Sequence, residues 1–190
     1  MLARVQYHII SSRNFNPFQS AYRKYSSTET VLLLTLDNIF HSIDQGMSTV
    51  LVSLDLSAAF ETIDHSIFLN RLPSSFGIHG TALSWFHSYL SNRTQFVQIG
   101  NSLSSISSCP VGVLQGSVLG PMLFSLYTSP IAHMASSFGL LQQQYADDTQ
   151  IYVAVSRLNQ AINILQLERC LSALHTWFSL NGIALKTKQV

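Results

Sequence analysis

The chain has 190 residues, 47 % of them hydrophobic, which is enough for one domain with a sizeable core and excludes intrinsic disorder. Charged residues make up only 10 %, against a usual share of about 25 %, so the sequence reads as a piece of a larger protein whose apolar faces meet neighbouring segments. The net charge of +1 does not by itself announce a nucleic-acid binder, and a transmembrane helix is excluded because the most apolar stretch, Val111 to Tyr127, contains Gln115, three glycines and Pro121.

Residues 1–25 show no clear period and are expected to be irregular. Arg4, Arg13, Arg23 and Lys24 all precede the first acidic residue, Glu29, giving a basic stretch that could meet phosphate. A mitochondrial presequence would also be acid-poor, but Asn14, Pro17 and the mixed pattern make a poor amphipathic helix. Ser26-Ser27-Thr28-Glu29 reads as a capping box with Ser26 as N-cap, opening a helix to about Gln45. Its apolar face would be Leu32, Leu36, Ile39, Phe40 and Ile43, with Gly46 as the stop. Thr49 to Leu56 is apolar on both faces around Ser53, as a central strand would be.

Asp64 to Leu72 predicts a helix ending before Pro73, and His79 to Leu90 a second with Leu83, Trp85, Phe86 and Leu90 on its apolar side. Thr94 to Ile99 and Leu103 to Ser108 flank Gly100-Asn101 as a hairpin. A helix is expected from Ser117 to about Met134, with Pro121 tolerated in its first turn. Leu140 to Tyr145 and Thr149 to Val155 form two strands around Ala146-Asp147-Asp148, and Leu158 to Leu180 is the longest helix, ended by Asn181-Gly182. The class is α+β: a small antiparallel sheet that carries carboxylates, with helices on one side.

The chemistry concentrates in few residues. Asp55 lies near the end of a buried strand, and an ionised carboxylate there needs a partner or a metal; a strand-end cap is the plain alternative. Asp147 and Asp148 repel unless a cation neutralises them, although Asp-Asp before Thr is also ordinary turn chemistry. Successive side chains alternate in direction, so one of the pair would point at a site shared with Asp55 and the other reach it from the flank. Such oxygen ligands suit two Mg²⁺ or Mn²⁺ ions, which about 4 Å apart clamp the attacking and leaving oxygens of phosphoryl transfer. Gly112 to Pro121 is a glycine-rich loop feeding a helix, able to approach a ligand closely or simply to start the helix. It lacks the Gly-Lys-Ser/Thr of a P-loop. Phe60 could sit under a bound sugar, but core is the plainer reading. The two cysteines, Cys109 and Cys170, and the seven histidines offer neither a disulfide framework nor a trusted metal spacing, which fits an intracellular setting in nucleus or cytoplasm.

Four ordered blocks carry a resemblance. Phe18-Gln19-Ser20-Ala21-Tyr22-Arg23-Lys24 with Ser27-Thr28-Glu29-Thr30, Ser53 to Phe60 with Thr62-Ile63-Asp64-His65, Gly112 to Pro121, and Gln144 to Thr149 together resemble the reverse transcriptase domain of non-LTR (LINE-type) retrotransposons. The resemblance implies a polymerase palm over residues 49–190, with inserted helices and a hairpin at about 64–110, preceded by a partial fingers region over 1–48 and lacking the thumb. It implies RNA-templated synthesis of DNA from a primer 3′-hydroxyl and dNTPs, with Asp55, Asp147 and Asp148 holding two metal ions. Phe60 would exclude a ribose 2′-hydroxyl, Gln115 and Gly116 would line the template and nucleotide pocket, Arg23 would face triphosphate or template, and Tyr145 would pack near the primer end. Partners would be the RNA template, the DNA primer and the absent fingers and thumb, with no membrane. The chain departs from the family in having Leu114 where proline is usual and Glu61 where aspartate is usual. The family's carboxyl-terminal lysine motif is not reproduced, leaving Lys186 or Lys188 as substitutes.

Without the thumb, weak or no processive synthesis is expected. A different reading is a catalytically silent retroelement relic that serves as a protein or RNA interaction module. Another palm-type phosphotransferase, such as a nucleotide cyclase, is disfavoured by Gln115-Gly116 and Phe60. Use of dNTPs, no incorporation and use of NTPs separate the three.

Overall fold

A computed structural model describes residues 2–186 of the chain, with side chains from Val5 onward. The stretch expected to be irregular opens in a helix, α1 (Leu2–Ile10). Two residues one turn apart explain it, since Val5 and Ile9 both enter the core, and His8 Nε2 meets the Phe76 carbonyl at 2.7 Å. Two apolar positions are too few to be seen as a period, yet they suffice when a tertiary surface receives them.

Helix α2 (Thr28–Asp44) is capped one residue later than expected. Ser27 Oγ accepts from Thr30 N–H at 3.3 Å while Thr30 Oγ1 accepts from Ser27 N–H at 2.8 Å, so threonine replaces glutamate in the box. Its expected apolar face turns outward: Leu32, Leu36, Phe40 and Ile43 are exposed, and the residues it buries are Thr35 and Ser42.

The sheet explains this inversion. Strand β1 (Ser48–Leu54) is followed by the short β2 (Leu56–Ser57). Helix α3 (His65–Phe76) does not stop before Pro73; it runs on to bury Leu72 and Phe76 one turn apart and ends at Gly77 in the left-handed conformation. The burial of that pair outweighs the single helical hydrogen bond that proline removes. Helix α4 (Gly80–Leu90) buries Phe86 and Leu90, with the Phe86 ring edge-on to Phe68. The expected hairpin follows as β3 (Thr94–Gln95), β4 (Gln98–Ile99), β5 (Ser102–Leu103) and β6 (Ser107–Ser108), turning at Gly100-Asn101. The helix expected from Ser117 is two helices, α5 (Gly120–Thr128) and α6 (Pro130–Ser137), divided where Pro130 lacks an N–H. Strands β7 (Leu141–Tyr145) and β8 (Asp148–Val155), helix α7 (Gln160–Leu180) and the short β9 (Ala184–Leu185) complete the chain.

The three-stranded antiparallel sheet has the order β1-β8-β7, so β1 lies at an edge and not in the centre, and β8 is central. In β8, Ile151, Val153 and Val155 point to one face, into the core built with α5, α6 and α7. On the other face the register aligns Ser53, Gln150 and Gln143 in a polar row, over which α2 lies, Thr35 Oγ1 reaching Gln150 Oε1 at 3.5 Å. Helices therefore cover both faces rather than one. A polar row is best met by hydroxyls, which is why α2 presents Thr35 inward and its leucines to solvent.

Candidate active site

The β7–β8 turn is a two-residue loop, Ala146-Asp147, closed by the pair Tyr145 and Asp148. Asp148 is therefore the first residue of β8 and only Asp147 lies in the turn itself. Ala146 adopts φ 54, a conformation usually left to glycine at the first position of such a hairpin. Ala58, three residues after Asp55, holds φ 49, so both carboxylate-bearing loops contain an alanine in the left-handed region.

Asp55 immediately follows Leu54, which pairs with Thr149; one further step along the antiparallel ladder faces it towards Asp148. The short pair β2–β9, absent from the sequence reading, brings the end of the described chain to the same place. Lys186 N–H donates to the Asp55 carbonyl at 2.9 Å, and Lys186 Nζ donates to Asp55 Oδ1 and Oδ2 at 2.9 and 3.0 Å. Burial, and then the charges of Asp147 and Asp55, push the Asp148 carboxyl above the usual carboxylate range, against the pull of Lys186. The hydrogen bond to Asp55, with the charges of Asp147 and Asp148 behind it, raises the Lys186 ammonium.

Three hard oxygen donors that repel one another, with one chain ammonium among them, have the chemistry of a divalent-cation site. Among the described residues, no three His, Cys, Asp or Glu side chains are drawn together closely enough to chelate an ion. The donor set suits the group; its closure around an ion is a separate step. Lys188 lies outside the described residues.

Tyr145 and Asp148 line a cleft of about 310 Å³ between α2 and the sheet, with Thr28, Thr35, Ser53 and Gln150. The Phe60 ring stacks on Phe124 with centroids 5.0 Å apart and is half-buried. Its carbonyl accepts from Val113 N–H at 2.8 Å, and the Ile63 carbonyl accepts from Gly112 N–H at 2.8 Å, so the glycine-rich loop is fastened to the segment just after Asp55. Gln115 and Gly116 stand exposed on that loop. Gln115 lines a second cleft of about 420 Å³ with Glu61, Arg93 and Thr94, in which none of the three aspartates takes part. Arg23 is turned onto its own segment: Nη1 donates to the Pro17 carbonyl at 3.2 Å, Nη2 to that of Asn16 at 3.1 Å, and the guanidinium lies over the Phe15 ring. The structure thus sets Asp55, Asp147 and Asp148 at one end of the sheet without closing them into a chelating cluster, places Tyr145 beside Asp148, joins Phe60 to the Gln115 loop, and gives Arg23 a bracing task.

Two neighbours escaped the sequence reading. Residues 18–20 lie along the outer edge of β7, and burial together with the charge of Asp147 raises the phenol of Tyr22. No period marks either; their only signal is membership of the block around Gln19 and Arg23.

A family model described as reverse transcriptase (RNA-dependent DNA polymerase) matches residues 1–189. The chain is 30 % identical over 176 residues to a probable RNA-directed DNA polymerase from transposon BS of Drosophila melanogaster, covering 89 % of this chain and 19 % of that protein. It is 28 % identical over 166 residues to an RNA-directed DNA polymerase from mobile element jockey of the same fly, covering 84 % and 18 %. It is also 28 % identical over 130 residues to a retrovirus-related Pol polyprotein from type-1 retrotransposable element R2 of Popillia japonica, covering 65 % and 18 %. The chain therefore spans less than a fifth of the length of these relatives. In fold it is similar to apo telomerase from Candida tropicalis truncated from its C-terminal domain, with TM-score 0.60 at 12 % identity, over 90 % of this chain and 36 % of that one.

Proposed function

The chain belongs to the reverse transcriptase family, and on that premise we propose that residues 49–190 form the palm, and residues 1–48 part of the fingers, of an RNA-directed DNA polymerase that extends a primer 3′-hydroxyl with dNTPs on an RNA template. The observation that carries this reading is the ladder that sets Asp55, just past the end of β1, beside the start of β8, where Asp148 stands with Asp147 in the adjoining turn. Segments far apart in sequence thus bring carboxylates to one end of the sheet, where burial, and then the charges of Asp147 and Asp55, lift the Asp148 carboxyl.

Asp55, Asp147 and Asp148 would hold two Mg²⁺ or Mn²⁺ ions. Bound there, such ions neutralise the triphosphate and stabilise both the attacking and leaving oxygens of in-line transfer. The chain's own residues supply the rest. Tyr145 and the cleft beside it would place the primer end next to Asp148. Phe60, stiffened by its stack on Phe124, would present an edge against a ribose 2′-hydroxyl, and Gln115 and Gly116 would meet the template and incoming base. Arg23 would act on that pocket by bracing the segment that flanks the hairpin. The reaction fits an intracellular setting in nucleus or cytoplasm.

The Lys186–Asp55 pair favours a second reading, a catalytically silent relative kept as an RNA or protein interaction module, because the chain itself neutralises one of the carboxylates. The test is Mg²⁺- and Mn²⁺-dependent extension of a DNA primer on an RNA template, comparing the chain with Asp147→Asn, both checked for folding by circular dichroism. Weak, non-processive incorporation of dNTPs that disappears in the variant is the expected result. No incorporation by a folded chain would replace the polymerase reading with the silent one, and incorporation of NTPs alone would point to another phosphotransferase.

A further inference from the structure

The turn that carries Asp147 is gripped by a side chain from the opposite end of the sequence. Residues 18–20 pair with β7 through one parallel bridge, Gln144 N–H donating to the Phe18 carbonyl at 3.0 Å and Ser20 N–H to the Gln144 carbonyl at 2.9 Å. Beyond that bridge the segment turns away through Tyr22 at φ 62, and the backbone of Ala146 would face it with nothing to pair. The Gln19 side chain fills that place. Its Oε1 accepts from Ala146 N–H at 2.9 Å, its Nε2 donates to the Ala146 carbonyl at 2.9 Å, and Oε1 also takes Ala21 N–H at 3.1 Å.

One amide thus does for Ala146 what an adjacent strand does for an interior residue. The partners fix its orientation, since an N–H must meet the oxygen and a carbonyl must meet the nitrogen. Gln19 is completely buried, so water offers no substitute for these bonds. The residue it holds is the one at φ 54, a conformation that L side chains avoid and that persists only where the surroundings over-determine it. Asp147 is the next residue along, and its backbone direction follows from that of Ala146.

We propose that Gln19 is a positioning residue of the candidate active site, holding Ala146 in its left-handed conformation so that Asp147 is aimed at the place shared with Asp55 and Asp148. This role rests on the reading of Asp147 as a metal-holding carboxylate. Methionine at 19 matches the length of glutamine and supplies neither bond. Glutamate keeps the acceptor but sets a carboxylate oxygen against the Ala146 carbonyl. Glycine at 146 adopts the same φ without strain and needs the grip less.

The experiment follows the Ala146 amide by hydrogen exchange in the wild-type chain, in Gln19→Met and in Gln19→Glu, alongside primer extension by each. The Ala146 amide should be protected in the wild type and should exchange about tenfold faster in Gln19→Met, the ratio one net hydrogen bond is worth. Amides in α7 should keep their rates. In primer extension kcat should fall by about one to two orders of magnitude, as small misplacements of reacting groups do, with KM for dNTP little changed. Adding Ala146→Gly to Gln19→Met should recover most of the loss, which a merely structural role for Gln19 would not allow. Should Gln19→Met fail to fold, Gln19→Glu is read in the same way. An Ala146 amide as unprotected as those of the exposed 94–108 hairpin in the wild type, or unchanged exchange and kcat in a folded variant, overturns the proposal. If the wild type extends no primer while Ala146 protection still depends on Gln19, the grip stands and the polymerase reading is what falls.

Discussion

Lys186 holds Asp55 by both carboxylate oxygens, 2.9 and 3.0 Å from Nζ, and by a backbone bond of 2.9 Å from its own N–H to the Asp55 carbonyl. The backbone bond continues the β2–β9 pairing, so the ammonium is delivered to the carboxylate by strand register and not by chance contact of two long side chains.

A cation that binds Asp55 must displace this ammonium. Lys186→Ala is therefore expected to tighten Mn²⁺ binding by the chain about two- to fivefold, a modest gain because the ion pair it removes is exposed and screened by solvent. Titration of free Mn²⁺ by electron paramagnetic resonance measures it. Weaker binding in the variant would show that Lys186 orders Asp55 for the ion and does not compete with it.

Asp148 offers a prediction with a defined pH sign. Its carboxyl is raised by burial and by the charges of Asp147 and Asp55, so the folded chain favours the protonated form more than the unfolded chain does. That stabilising contribution is complete below the ordinary carboxylate pKa and is lost as pH rises through the raised value. Asp148→Asn removes the charge altogether. The variant should be more stable than the wild type at pH 7 without divalent ions, by less than about 1 kcal/mol because the carboxyl is only partly desolvated and solvent screens its neighbours. The gain should vanish near pH 3, while primer extension is lost at every pH. Thermal unfolding at the two pH values tests it; an equal gain at both would mean that charge is not the cause.

The glycine-rich loop is tightest at Gly112. Gly112 has φ +85, and a Cβ there would stand 2.9 Å from the Glu61 carbonyl oxygen and 3.1 Å from Glu61 Cα, both backbone atoms that cannot swing aside. Gly112→Ala should cost about 1–3 kcal/mol in chemical unfolding, combining backbone strain with the clash. It should also loosen the bonds from the loop to Phe60 and Ile63. Gly116 has a similar φ of +82 but open space around it, so Gly116→Ala carries strain alone and should cost less. Equal costs at the two glycines would remove the argument from the clash.

The β7–β8 hairpin and the strand that ends just before Asp55 were legible because each is local, although the place of β1 at the sheet edge was not. The long helix α7 was legible because its apolar residues recur over five turns. What could not be read was decided at a distance. α1 exists through two buried residues, Val5 and Ile9. α2 shows a helical apolar stripe in sequence yet buries Thr35 against Gln150, because the face beneath it is polar, and nothing within residues 28–44 reveals that face. Pro73 does not end α3, since Leu72 and Phe76 both reach the core. The pairing of Lys186 with Asp55 depends on a two-residue ladder between segments far apart, and the grip of Gln19 on Ala146 belongs to the same class.

The register of β1 against β8, from Ser48 opposite Val155 to Leu54 opposite Thr149, also dictates an order of events. Roughly a hundred residues separate the two strands, and closing a loop of that length is slow compared with forming any of the helices between them. On a ribosome Asp55 emerges long before Asp148 exists. Until β8 arrives, Val50, Val52 and Leu54 have no sheet partner and their backbone edge is open to any passing strand. Asp55 thus gains its neighbouring carboxylates only late in synthesis, and a nascent chain interrupted before Asp147 exposes an unpaired strand.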